Sequence, residues 1–213
     1  MSGRPPLISV IIPVRSGDDA LERLMDQLEP HRLADMEVVV SSGDSRADAL
    51  NQGAREAAGR HLWFLHADSR LPLDGVDRLR ATIRSHPLHL RYFDLAFDDD
   101  GPALTRLNAV GANLRSRWLG MPYGDQGLCL HRALFQEIGG FPEHAAYGED
   151  HLFVWRARSL GVGLRPVGAT LTTSARRYRD EGWLATTARF QYRMVRQAIP
   201  AWWRLLRGPR SSA

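Results

Sequence analysis

An α/β fold, with a mainly parallel sheet and helices on both faces, is predicted by three features of this sequence. Short apolar runs of strand length alternate with amphipathic segments through the first 100 residues. Several runs end directly in small polar loops, such as Ser41-Ser42-Gly43-Asp44 and His66-Ala67-Asp68-Ser69. The composition is ordinary: 213 residues, 44% hydrophobic and 24% charged, enough to bury a core without disulfides or metal.

Residues 7–12 are almost continuously apolar, which suits a strand covered on both faces. Asp18 and Asp19 offer N-caps for a helix carrying Leu21, Leu24, Met25 and Leu28, and Pro30 ends it. A second strand is expected over 37–40, a helix over 47–58 stopping at Gly59, and a third strand over 61–65. In parallel sheets the ligand site lies beyond the carboxyl ends of the strands, which singles out residues 13–18, 41–45 and 66–70. Further on, helices are expected over 76–85, 103–119 and 149–160, with a short one ending at Gly139-Gly140. Strands are expected over 92–97, 127–130 and 163–171. Past Trp183 the pattern is an amphipathic helix broken at Pro200, so the chain divides into one domain over 1–182 and a helical extension over 183–213.

Composition excludes several classes. One cysteine, Cys129, rules out a disulfide framework or a cysteine-based zinc cluster. No run approaches the ~18 apolar residues of a spanning helix. The first apolar stretch contains Pro13 and lacks a cleavage site after it, so it is a strand and not a signal peptide. A soluble, cytoplasmic protein is expected. The net charge is +4, and all 28 basic residues are arginine. After Glu181 there is no acidic residue, while Arg189, Arg193, Arg196, Arg204, Arg207 and Arg210 follow. Trp183, Thr187, Phe190, Met194 and Ala198 share a helical face suited to packing on the domain. The tryptophan- and arginine-rich residues 201–210 suit peripheral contact with an anionic membrane. No nucleic-acid module accompanies the basic residues, and no nucleic-acid partner is expected.

Four clusters carry candidate chemistry, each with a plainer alternative. Asp68, two residues after His66, can hold a divalent cation that bridges two phosphates, or it can cap a turn before Pro72. Glu149-Asp150 opens a helix, where a carboxylate can act as general base or simply complement the helix dipole. Asp125 and Gln126 lie between Gly124 and Gly127, a setting for close ligand approach or a polar turn. Arg176 and Arg177, beside Ser174, can grip a diphosphate or remain a solvated pair.

Taken in order, these motifs resemble a family 2 glycosyltransferase of the GT-A fold, and more narrowly the small bacterial rSAM/selenodomain-associated transferases. The matching elements run over about residues 7 to 195: Ser9-Val10-Ile11-Ile12-Pro13-Val14, Leu65-His66-Ala67-Asp68-Ser69-Arg70-Leu71-Pro72, Pro122-Tyr123-Gly124-Asp125-Gln126-Gly127, Gly139-Gly140-Phe141-Pro142, Gly148-Glu149-Asp150 and Thr173-Ser174-Ala175-Arg176-Arg177-Tyr178. The resemblance implies an inverting, metal-dependent transfer of a sugar from a nucleotide-diphosphate donor to an acceptor, which is lipid-linked if the tail meets a membrane. By the same resemblance Asp68 is a ligand for Mn2+ or Mg2+, with His66 in place of the first member of the Asp-x-Asp motif. Asp150 is the catalytic base beside Glu149. Pro13, Ser41, Asp125, Gln126, Arg176 and Arg177 contact donor or acceptor. The sequence also departs from the family. Ser16 and Gly17 stand where relatives carry Asn-Glu, and Ser41 replaces an aspartate that holds the base. The path from Ser45 to Asn51-Gln52-Gly53 is shorter by about twenty residues, the length of a helix and strand in relatives. Two outcomes are compatible with that: a donor held differently, with Asp18, Asp44 or Asp48 compensating, or a catalytically silent binding protein that has lost its donor.

Overall fold

The computed structural model describes residues 5–14, 20–32 and 35–206. In chain order its elements are β1 (Ile8–Pro13), α1 (Ala20–Leu28), β2 (Met36–Ser41), α2 (Arg46–Glu56), β3 (His61–Phe64), α3 (Gly75–Ser85) and β4 (Leu90–Phe97). There follow α4 (Thr105–Trp118), β5 (Cys129–His131), α5 (Arg132–Ile138), α6 (Glu149–Ser159), β6 (Leu164–Thr173), α7 (Arg176–Asp180) and α8 (Trp183–Leu206). A one-turn 3-10 helix, Gly124–Gln126, leads towards β5.

The six strands form one sheet in the order β2-β1-β3-β5-β4-β6. β1 is parallel to β2 and β3, β4 is parallel to β6, and β5 runs antiparallel to both β3 and β4. All strands except β5 therefore point one way. Their carboxyl ends make a single rim, and the chain entering β5 meets that same rim. Side-chain alternation sorts the core to the two faces. Ile8, Val10, Ile12, Trp63 and Leu65 pack with Leu24 and Leu28 of α1 and Val76, Leu79 and Ile83 of α3. Ile11, Leu62 and Phe64 pack on the other face with α2, α5 and α6 through Leu50, Phe135, Phe153 and Val154. The parallel sheet with helices on both faces is as the sequence predicts.

Two details differ, and one expectation falls outside the described residues. Asp18 and Asp19, expected as N-caps, lie outside the described residues. The segment after β6 forms the short helix α7, which apolar periodicity does not signal. The last helix does not break at Pro200: α8 continues through it. Proline removes one backbone hydrogen bond there, but Ala201 beyond it is buried with Met121 and Trp155, against Met194 and Ala198. Tertiary packing outweighs the local penalty. At its start α8 is tied down by Trp183 Nε1, which donates to Asn108 Oδ1 at 2.6 Å, and Asn108 Nδ2 donates to Thr187 Oγ1 at 3.0 Å. The face expected to pack on the domain does so. Of the membrane-contact segment 201–210, residues 207–210 lie outside the described residues.

Candidate functional site

The rim gathers four loops and a helix end. Gly148, with φ 65°, turns the chain into α6 and places Glu149 and Asp150 in its first turn. Asp150 Oδ2 accepts from Gly124 N–H at 2.6 Å, and its Oδ1 accepts from His151 N–H at 2.8 Å. A Cβ at position 124 would stand 2.8 Å from Asp150 Oδ2 and 3.1 Å from Arg46 Nη2, so only glycine permits this approach. The Tyr-Gly-Asp-Gln-Gly turn and the Glu-Asp motif, 25 residues apart in sequence (124 to 149), thus form one unit.

Arg46 was not among the residues the sequence singled out, yet it holds the middle of the site. It begins α2 directly after Ser45, whose Oγ caps the helix by accepting from Asp48 N–H at 3.1 Å. Its Nη1 bonds to Glu149 Oε1 at 3.0 Å, and its Nη2 donates to His66 Nε2. Its one mark in the sequence is its place beside an N-cap serine in the loop after β2; nothing there shows which partners its guanidinium reaches.

These contacts set protonation. Burial alone would raise the Asp150 carboxyl. The Arg46 guanidinium and the two backbone N–H groups more than offset it and hold Asp150 below the usual carboxylate range. Burial, and then Arg46, push His66 down to about 3, so its imidazole is neutral. Asp125 behaves in the opposite way: burial raises its carboxyl to about 6, with Arg115 and Arg46 opposing and Asp150 and Asp68 reinforcing the rise.

On the other side of the β3 loop, Asp68 lines a cavity of about 90 Å³ with Arg23, Arg70, Asp98, Ser174 and Arg176. The loop is pinned to β6 by Arg70 N–H to Thr172 O at 2.7 Å. Asp100 fixes the start of α7, accepting from Ser174 Oγ at 2.5 Å and Ala175 N–H at 2.6 Å. Arg176 and Arg177 are exposed at that helix start. Arg176 Nε lies 3.1 Å from Ser174 Oγ, and Arg177 lies 3.8 Å from Glu181.

The structure therefore brings His66, Asp68, Asp125, Glu149, Asp150, Arg176 and Arg177 to one rim. Two expected ligand contacts turn inward instead. Ser41 is buried and its Oγ donates to Ala49 O at 2.7 Å, holding α2 against the sheet. Gln126 is fully buried: its Oε1 accepts from Ser116 Oγ and Tyr123 N–H, and its Nε2 donates to Phe93 O. Both serve the scaffold because a buried polar group must satisfy its hydrogen bonds locally. Pro13, opposite Ser41 in the β1–β2 register, ends its strand at the rim, half-buried. Asp48, proposed as a compensating residue, accepts from Asp44 N–H at 3.1 Å and pairs with Arg55 at 3.8 Å.

The donor set at the rim fits a metal ion only in part. A guanidinium has donors only, so Arg46 takes the His66 Nε2 lone pair that a cation would need. Among the described residues, no group of three or more His, Cys, Asp or Glu side chains is placed to hold a metal. Asp68 alone fits as a protein ligand, in the manner of sites where one carboxylate and substrate phosphates share the ion. His66 does not fit through Nε2 in this arrangement.

The sheet order, the β5 reversal and the helix-flanked faces define a GT-A glycosyltransferase fold. Solved structures with this fold include S. aureus TarS in complex with UDP, at 16% identity and TM-score 0.61, over 79% of this chain and 60% of that one. TarS with UDP-GlcNAc aligns at 15% identity and TM-score 0.57, over 78% and 58%. The mannosyltransferase PcManGT from Pyrobaculum calidifontis, in complex with GDP-Man and Mn2+, aligns at 16% identity and TM-score 0.60, over 79% and 57%. The chain thus spans less than two thirds of these neighbours' own lengths. No protein-family model and no curated protein matches the sequence. No helix among the described residues is long and apolar enough to cross a membrane.

Proposed function

We propose that this chain transfers a sugar from a nucleotide-diphosphate donor to a hydroxyl acceptor, with inversion at the anomeric carbon. The observation that carries the proposal is the ionised Asp150 carboxylate, at the same rim as Asp68 and Arg176. Asp150 takes the proton of the acceptor hydroxyl as its oxygen bonds to the anomeric carbon. The bond from that carbon to the diphosphate breaks, and the nucleoside diphosphate leaves with the electron pair. One displacement with one base inverts the carbon. Glu149 acts through Arg46, which it positions. Arg176 and Arg177 balance the charge of the diphosphate. A Mn2+ or Mg2+ ion at Asp68 would supply further neutralisation of the leaving group when bound. The UDP, UDP-GlcNAc and GDP-Man bound to the fold neighbours support a nucleotide-sugar donor, and the order of motifs supports a place in family 2.

A thermal-shift series with UDP, GDP, CDP, ADP and dTDP and their sugars, each with and without Mn2+, tests this. Stabilisation by one nucleotide class is expected, since a ligand bound only by the folded form raises its stability. A folded sample that responds to none of them would identify the silent binding protein. The outer side of α8, with Leu184, Tyr192, Val195, Ile199, Trp202 and Trp203 exposed, supports peripheral contact of this same protein with an anionic membrane, near a lipid-linked acceptor. Co-sedimentation with anionic vesicles is expected, with the triple Tyr192→Ser, Trp202→Ser, Trp203→Ser chain remaining in the supernatant; equal sedimentation of both would remove the contact.

A further inference from the structure

The first turn of α6, which carries Glu149 and Asp150, has no side chain to cap it, because its N-cap is Gly148. A helix start leaves backbone N–H groups without partners inside the helix, and uncapped ends fray. Here a residue of α8 closes the turn from outside. Gln197 Nε2 donates to Tyr147 O at 2.6 Å, and Gln197 Oε1 lies 3.0 Å from His151 Nδ1. Tyr147 and His151 are the residues on either side of Gly148-Glu149-Asp150. The Gln197 amide lies against the turn so closely that a Cβ at position 148 would collide with its Oε1.

These hydrogen bonds run in one direction. Trp155 Nε1, which can only donate, donates to His151 Nε2 at 2.7 Å. His151 Nδ1 therefore carries the ring proton and donates to Gln197 Oε1, which leaves the Gln197 amide nitrogen to donate to Tyr147 O. Burial holds the imidazole below its ordinary range, so the ring is uncharged at neutral pH. His151 also donates its backbone N–H to Asp150 Oδ1 at 2.8 Å, so what fixes His151 fixes the carboxylate. The register of α8 is set by Met194, Ala198 and Ala201, which pack with Met121 and Trp155. We propose that Gln197 is a positioning residue for the base: by holding Tyr147 O and the His151 ring it keeps Asp150 aimed at the acceptor hydroxyl. The assignment rests on the glycosyl-transfer function proposed above. It makes α8 a working part of the site and not an appendage to the domain.

The test follows release of UDP from UDP-GlcNAc and of GDP from GDP-mannose by the full chain with Mn2+, water standing in for the acceptor hydroxyl. The water oxygen bonds to the anomeric carbon, Asp150 takes its proton, and the nucleoside diphosphate leaves with the electron pair. In Gln197→Met, kcat is expected to fall about tenfold with KM within about twofold of wild type, because a misplaced base costs turnover and not ground-state binding. Gln197→Glu keeps an acceptor for His151 but has no donor for Tyr147 O, and its kcat is expected between those two. Asn108→Ala loosens α8 at its start, away from Gln197, and is expected to lower the melting temperature and leave kcat unchanged. Hydrogen exchange reads the coupling without turnover: the Gly124 and His151 amides, both bonded to Asp150, should exchange about tenfold faster in Gln197→Met. An unchanged kcat in Gln197→Met, a loss confined to KM, or an equal fall of kcat in Asn108→Ala would overturn the assignment. Wild-type protein that releases neither nucleotide would count against the glycosyl-transfer function. Exchange then decides for Gln197: faster exchange at both amides upholds its hold on Asp150, and unchanged rates overturn it.

Discussion

At the carboxyl rim of the sheet, arginine and carboxylate meet: Arg46 pairs with Glu149, its charge helps keep Asp150 ionised, and Arg70 bonds to Asp98 at 2.7 Å. At the amino end, His61, His86, His89, His131 and Arg91 meet each other and backbone carbonyls. His61 and His131 lie edge to face at 5.0 Å, and Arg91, fully buried, donates to His89 O at 2.9 Å and to His86 O. Burial pushes His61 down to about 4 and His131 below its ordinary value. Both ends bury ionisable groups, yet the rim keeps the Asp150 carboxylate charged beside Arg46, while burial leaves His61 and His131 at the amino end neutral. Opposite charges within reach make the difference. The rim can hold charge for chemistry, while the amino end serves only the fold.

The largest test of that contrast is Asp150→Asn. Transfer should fall by roughly 10²–10⁴-fold, the usual contribution of a positioned base, in a product assay, with the melting temperature close to wild type. Arg46→Met comes next. With the guanidinium gone, the acidic limb of kcat/KM against pH should move upward, because Asp150 loses a charge that holds its carboxyl down. An unmoved limb would show that the backbone N–H groups suffice.

The inward-turned polar residues sharpen the comparison from the scaffold side. Gln126→Leu leaves Phe93 O and Tyr123 N–H without their partner and should cost about 2–4 kcal/mol in urea unfolding. Ser41→Ala removes one buried bond and should cost only about 1 kcal/mol, with nucleotide affinity unchanged. A large loss of affinity in Ser41→Ala would place its hydroxyl at the ligand after all.

The remaining test belongs to the amino end. His61 takes a proton near pH 4 when folded and near 6.5 when unfolded, so between those values the unfolded chain binds more protons. Stability from this group is present above pH 6.5 and is lost as the pH falls towards 4. A slope of stability against pH over that window, reduced in His61→Gln, is the expected result.

Periodicity and the turn residues carried most of the fold. Ile8, Val10 and Ile12 against Ile11, and Leu24 with Leu28, assign faces by spacing alone, because burial of alternate side chains is a local property. The candidate site was legible only as separate pieces. Asp68, Asp125, Asp150 and Arg176 were each marked by a loop motif, but Arg46 was not, since nothing near it in sequence shows that its guanidinium spans from β3 to α6. Pro200 was misjudged for a related reason: its local penalty is visible in sequence, while the burial of Ala201 that offsets it is not.

The sequence by itself determined the α/β alternation, the strand ends at which chemistry gathers and the identity of the charged groups there. These follow from chirality, side-chain period and turn chemistry, all of which act within a few residues. Only the tertiary structure decided which polar groups are satisfied within the scaffold and which are not, as with Gln126, fully hydrogen-bonded, against Asp125 Oδ1, which has no partner, neighbours in one turn. Hydrogen-bond satisfaction and charge balance depend on partners tens of residues away, such as Phe93 for Gln126 and Gly124 for Asp150, and those partners meet only when the sheet closes.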